Sequence, residues 1–214
     1  MLPNTVRYEL PPEGITLLGY IVRRMHKTAW LAHIPQMLSQ GQSAKALEHI
    51  AIYTVASSTS YGRAYYQPNF NATGDSISEP DPATGAIVIA RLDSRSPHYH
   101  ISYDVSMPNG GTFKGREEIT GTTIGLRGLG MPAPSRFTFT SGEYSAELTG
   151  IITSELVLSL IGNTRIRAYG SLNFKDSAGN IGRLELKRDG NLTIIVNEQE
   201  TKYSLTDLPV PQSA

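Results

Sequence analysis

Between Ala86 and Leu205 apolar and polar residues alternate in short runs broken by Gly, Pro, Asn, Asp and Ser, and nothing there has apolar residues at helical spacing. A two-residue period puts successive side chains on opposite faces of a strand, so the region is restricted to antiparallel β-structure with one buried face. The sharpest hairpin runs from His98 to Thr120: Tyr99, Ile101, Tyr103, Val105 and Met107 alternate with His98, His100, Ser102, Asp104 and Ser106 ahead of Pro108-Asn109-Gly110-Gly111. Strand runs fall at 86–92, 98–107, 112–120, 122–127, 135–140, 143–150, 152–160, 164–175, 181–188, 192–197 and 201–206. So many strands do not stay in one flat sheet. The expectation is a mainly β fold, an antiparallel meander closing into a barrel or splitting into a sandwich. Glycines inside strand runs, Gly115, Gly121, Gly125, Gly150 and Gly170, suit bends at barrel corners and favour the barrel.

The turns propose registers. A three-residue loop at Asn109-Gly110-Gly111 pairs Met107 with Phe113, Val105 with Gly115, Tyr103 with Glu117 and Ile101 with Ile119, and sets Asp104 opposite Arg116. Around Ser141-Gly142 the pairs are Phe139 with Tyr144 and Phe137 with Ala146. Around Asp176 to Asn180 they are Leu172 with Leu184 and Gly170 with Leu186, and around Asp189-Gly190-Asn191 Leu186 meets Ile194. All four hairpins agree on one apolar face.

Residues 1–60 have a different texture and read as an N-terminal helical segment packing on the barrel. Ile15, Leu18, Val22, Met25 and Ala29 fall on one helical stripe, Pro35 interrupts that helix or starts another, and a further helix opens at Ser43 with Leu47, Ile50, Ala51 and Val55 facing inward. Residues 61–85, rich in Gly, Pro, Asn, Ser and Asp, read as a long loop or lid whose Tyr61, Tyr65, Tyr66 and Phe70 favour packing over a floppy linker. The barrel is then 86–208, with a frayed tail at 209–214.

With 214 residues the chain can bury a core without staples, and its lack of cysteine excludes disulfides, thiolate metal sites and cysteine nucleophiles. That fits a reducing compartment, and the cytoplasm is expected. Lys+Arg 19 balances Asp+Glu 19, so no overall field gathers nucleic acid or an anionic membrane, and a neutral chain tends to self-associate; a homo-oligomer is expected. The longest apolar run, Ile15 to Val22, is too short to span a bilayer. The basic run Arg23 to Lys27 near Trp30 reads as a solvated helix face.

Chemistry is sparse. No Gly-x-Ser-x-Gly elbow occurs, and Gly125 to Gly130 precedes prolines where a phosphate loop precedes a helix, so no cofactor is expected. His98-Tyr99-His100 followed by Asp104 resembles a fragment of the cupin metal signature, which implies a metal-dependent enzyme. The pattern departs from that signature: the acid is Asp where Glu is usual, and no histidine follows. No metal is therefore expected. Glu117 beside Tyr103 on the apolar face is the sharper feature, because desolvation raises a carboxyl's pKa and suits it to proton transfer. The leading expectation is a barrel that binds a small, mainly apolar molecule between Phe113, Phe137, Phe139, Tyr144, Leu172 and Phe174. Glu117 and Tyr103 would be the catalytic pair if it works as a cofactor-free isomerase or cyclase. The alternative is a solid barrel acting as a non-catalytic interaction or scaffold subunit.

Overall fold

The computed structural model describes Val22, residues 25–58, 76–95, 98–122, 129–132, 135–158, 164–205 and Leu208. Tyr61, Tyr65, Tyr66 and Phe70 of the expected lid lie outside those residues, as do Ile15, Leu18, Arg23 and most of the expected 122–127 strand. Helices α1 (Ala29–Ala32), α2 (Ile34–Ser39) and α3 (Ser43–Ser58) precede the strands. Pro35 falls in the first turn of α2, where its missing N–H has no helical partner to lose.

The strands are β1 (Ser76–Pro80), β2 (Ile87–Arg95), β3 (His98–Ser106), β4 (Thr112–Thr122), β5 (Leu129–Pro132), β6 (Ser135–Ser141), β7 (Tyr144–Leu158), β8 (Thr164–Asp176), β9 (Ile181–Leu186), β10 (Asn191–Val196) and β11 (Gln199–Ser204). They form one antiparallel meander in chain order, with β5 and β6 following each other in a single lane between β4 and β7. Among the described residues β1 and β11 are the two edges of this sheet and do not pair. Strand β1 lies within the stretch expected to be loop and pairs with β2 from Pro80↔Ile87 to Ser76↔Arg91.

Three expected registers are corrected by two residues each. Val105 pairs with Phe113, Tyr103 with Gly115, Ile101 with Glu117, and Asp104 with Lys114. Phe139 pairs with Ala146, Phe137 with Leu148, and Leu192 with Leu186. Leu172 does meet Leu184, and Gly170 meets Leu186. The cause is the turn. In Met107–Gly111 and Lys187–Asn191, as in the correctly expected Asp176–Asn180, the first N–H donates to the fifth carbonyl and the fourth residue is Gly110, Gly190 or Gly179 at φ near +89°, whereas β6 and β7 close at Ser141↔Tyr144 on the two-residue loop Gly142-Glu143. Glycine thus ends each three-residue loop, because only the left-handed conformation closes it. Placing Gly110 in the middle moves the loop one residue along the chain, which changes every partner by two. A slide of two residues restores the same parity, so every side chain keeps its face.

The runs expected as separate strands at 143–150 and 152–160 are one strand, β7, in unbroken register with β8 from Ala146↔Asp176 to Leu158↔Thr164. Gly150 and Gly170 mark close approach of the two backbones instead of a turn. A Cβ on Gly150 would lie 2.2 Å from the Ser171 carbonyl oxygen, and one on Gly170 2.0 Å from that of Ile151.

Helix α3 carries the expected Leu47, Ile50, Ala51 and Val55 into the core, and its remaining faces are covered too: every residue from 46 to 57 is buried. A helix covered all round lies inside a fold. The sheet lies on one side of α3, through β7, β8 and β10, and α1 and α2 pack on it as well. Buried Asp81, at the β1–β2 turn, accepts bonds from the Thr28 N–H (3.2 Å) and hydroxyl (2.6 Å), which pins the start of α1 to the sheet.

Candidate functional site

The expected lining residues share the inner face of the sheet, and all of them are buried. Phe113 meets the ring of Tyr53 from α3 edge-on at 4.9 Å and stacks with Phe137 at 5.9 Å, while Phe139 and Tyr144 approach to 6.5 Å. Gly115 leaves room for two rings: a Cβ there would stand 2.6 Å from Phe137 and 2.8 Å from Tyr103. Leu172 and Phe174 complete the same core with Leu148 and Leu184. At this end of the sheet the face is covered by α3.

Tyr103 and Glu117 do not form the direct cross-strand pair expected of them. Tyr103 faces Gly115 and Glu117 faces Ile101, which makes them diagonal neighbours on the inner face. The side chain of Glu117 lies outside the described residues, as do those of His98 and His100. By register His98, His100 and Asp104 share the outer face, where Asp104 approaches Lys114 to 4.0 Å in place of the expected Arg116. Among the described residues no group of three potential metal ligands is assembled.

Polar contacts that strand alternation does not reveal gather around α3. Glu48 is buried, takes a bond from the Tyr203 hydroxyl of β11 and sits 2.6 Å from Lys45. Burial, followed by the Glu48 carboxylate, pushes the Tyr203 phenol up, so it remains a donor. His49 packs against the edge of Trp30 at 4.9 Å, and its Nδ1 is buried without a hydrogen-bond partner among the described residues. Burial, reinforced by the Lys45 ammonium, pushes this imidazole down to about 4. At the start of the helix Asn180 donates to Ser43 (2.9 Å) and to Asp176 (2.7 Å), Asn197 donates to Asn180 (2.7 Å), and Tyr144 donates to Asp176 (3.0 Å). Burial and then the Asp176 charge hold the Tyr144 phenol well above its ordinary range. Its hydroxyl is therefore engaged within the protein. The Lys45–Glu48 pair three residues apart is the one local signal of this network in the sequence.

Helix α3 is shorter than the longest strands of the sheet. Sixteen helical residues extend about 24 Å. The fifteen of β7 extend about 50 Å. Two contacts of α3, Ser43 with Asn180 and Tyr53 with Phe113, lie toward the end of the sheet that carries the Met107–Gly111 and Asp176–Asn180 turns. Beyond Gly150 and Gly170 the register continues, and Ile101, Glu117, Ile119, Ile152, Leu156 and Ile166 hold positions on the same face. Glu117 is the charged residue in that set.

No protein-family model matches the chain, and no curated protein matches it. Among solved structures it is similar to the crystal structure of the Osh1 ORD domain in complex with cholesterol, with a TM-score of 0.60 and 17% sequence identity. The likeness covers 100% of this chain and 55% of that one, so the chain spans about half the length of its structural neighbour. At that identity the comparison shows the fold.

Proposed function

We propose that this protein binds a small, mainly apolar molecule of sterol-like character on the inner face of its sheet, past Gly150 and Gly170. The observation that carries this reading is the full-length fold likeness to a domain solved with cholesterol. Physical support comes from the alternation itself: Ile101, Ile119, Ile152, Leu156 and Ile166 extend the core face beyond the length α3 can cover, and such a surface gains about 25 cal/mol per Å² when an apolar partner removes it from water. Phe113, Phe137, Phe139, Tyr144, Leu172 and Phe174 then act as the floor that holds α3, with the ligand beside it.

Isomerase or cyclase chemistry is a finer form of the same reading, in which Glu117 exchanges a proton with the bound molecule and Tyr103, one register step away, helps orient it. Charge neutrality supports a homo-oligomer, and the absence of cysteine supports a reducing, cytoplasmic setting.

Fluorescent dehydroergosterol titrated into the purified chain, without vesicles, tests the binding. Saturable energy transfer from Trp30 is expected, abolished by Leu156→Arg or Ile119→Arg in protein that still melts cooperatively. Wild-type protein that takes up no probe, or uptake that survives both substitutions, overturns the proposal. Glu117→Gln is expected to retain binding and to abolish any turnover.

A further inference from the structure

The outer face of the sheet, turned away from α3, carries a feature that ligand binding does not use. Following the register from strand to strand, one row reads Arg91, Ser102, Arg116, Arg136, Thr149, Asn173 and Arg183 across β2, β3, β4, β6, β7, β8 and β9. No acid stands in it. Arg116 and Arg136 face each other directly on neighbouring strands, and Glu147 lies 2.7 Å from the Arg136 guanidinium, which offsets their like-charge repulsion. Arg91 lies three strands from Arg136, about 14 Å away at strand spacing. By register this face across β2 to β9 also carries Arg95, Lys114, Arg165, Arg167 and Lys175, against the acids Asp93, Asp104, Glu118, Glu147, Glu155 and Glu185. A chain of zero net charge thus concentrates a positive surplus on one face.

We infer that this face docks on an anionic lipid bilayer through Arg91, Arg116 and Arg136. Guanidinium groups take phosphate and carboxylate oxygens bidentately, and a row of them matches a surface of repeated anionic headgroups. The apolar neighbours point to lipid as the partner. Ile151, 40% exposed, is the diagonal neighbour of Arg136 on this face, and Ile87, 41% exposed, lies farther along β2 from Arg91. Aliphatic groups beside cations suit the headgroup boundary. Single-stranded nucleic acid is bound on stacking aromatics. The row itself has no aromatic member; by register the rings of this face are His98, His100 and Tyr169, and Arg188 lies 4.4 Å over the Tyr169 ring. The inference stands on the outer face alone and does not depend on the ligand reading.

Flotation of the full chain with phosphatidylcholine vesicles, with and without phosphatidylserine, tests it. Binding is expected on the phosphatidylserine vesicles and is expected to fall as salt rises. The double variant Arg116→Ser, Arg136→Ser should weaken it about tenfold or more, with a Tm close to wild type, because relief of the opposed pair is set against loss of the exposed Arg136–Glu147 ion pair. Lys202→Ser on β11 should leave binding unchanged. Equal binding to both vesicle types, unchanged binding by the double variant, or a preference for a single-stranded oligonucleotide over vesicles overturns the inference. If the double variant loses Tm as well, Arg91→Ser decides, because Arg91 faces serines on both neighbouring strands. Vesicle binding unchanged in that variant also overturns it.

Discussion

At the hairpin end of the sheet Phe113 and Phe137 lie against α3, whereas beyond Gly150 and Gly170 the same face continues through Ile119, Leu156 and Ile166 past the length the helix can cover. Both halves obey the same alternation of apolar and polar positions. They differ in what meets the apolar side. In one half the chain supplies its own partner, a helix buried all round; in the other the proposed partner is a separate molecule. Alternation thus selects the face that leaves water, and the partner of that face is set by elements distant in sequence.

The boundary between the halves is where the largest effect is expected. Gly150→Ala or Gly170→Ala forces a methyl group toward a carbonyl oxygen of the neighbouring strand, and urea titration should show a loss of about 3 kcal/mol or more. Near-wild-type stability in both variants would mean that β7 and β8 separate easily there, and the contrast between the halves would dissolve. Next in size, Phe113→Ala should cost about 3 kcal/mol, since it leaves a cavity under Tyr53. Leu156→Ala should cost less in thermal melts of the ligand-free protein. Equal losses would show that both halves are equally packed by the chain itself.

The smallest effect sharpens the comparison through pH. His49 is neutral in the fold with its pKa held down to about 4, while in the unfolded chain it titrates near 6.5. The unfolded state therefore binds more protons between those values. Stability should be independent of this group above pH 6.5, fall as pH drops from 6.5 toward 4, and level off below, with a loss on the order of 2 kcal/mol. His49→Gln should flatten that limb of a pH series of urea midpoints. A His49→Gln profile that matches wild type would show that α3 does not enclose this imidazole.

Much of the fold was legible in advance. The meander, the inner face and the helix opening at Ser43 all rest on periodicity, which a single chain displays. Registers were legible only to within two residues, because parity fixes the face and turn geometry fixes the step. Gly110, Gly179 and Gly190 did carry that step, each in the last position of its loop. The candidate site was less legible. Tyr103 and Glu117 were placed on the correct face and in the wrong pairing, since a two-residue slide is silent to a two-residue period. The Asp81–Thr28 and Glu48–Tyr203 contacts join residues far apart in sequence, so no local spacing announces them.

By itself the sequence determined the antiparallel order of the strands and which side chains leave water, because both follow from interactions between residues a few positions apart. Tertiary structure decided that α3 is enclosed on every side, that Gly150 and Gly170 hold two backbones together, and that arginines from β2, β4 and β6 fall in one row. Those outcomes depend on the lateral stacking of strands, which sets residues tens of positions apart side by side at about 4.8 Å per strand.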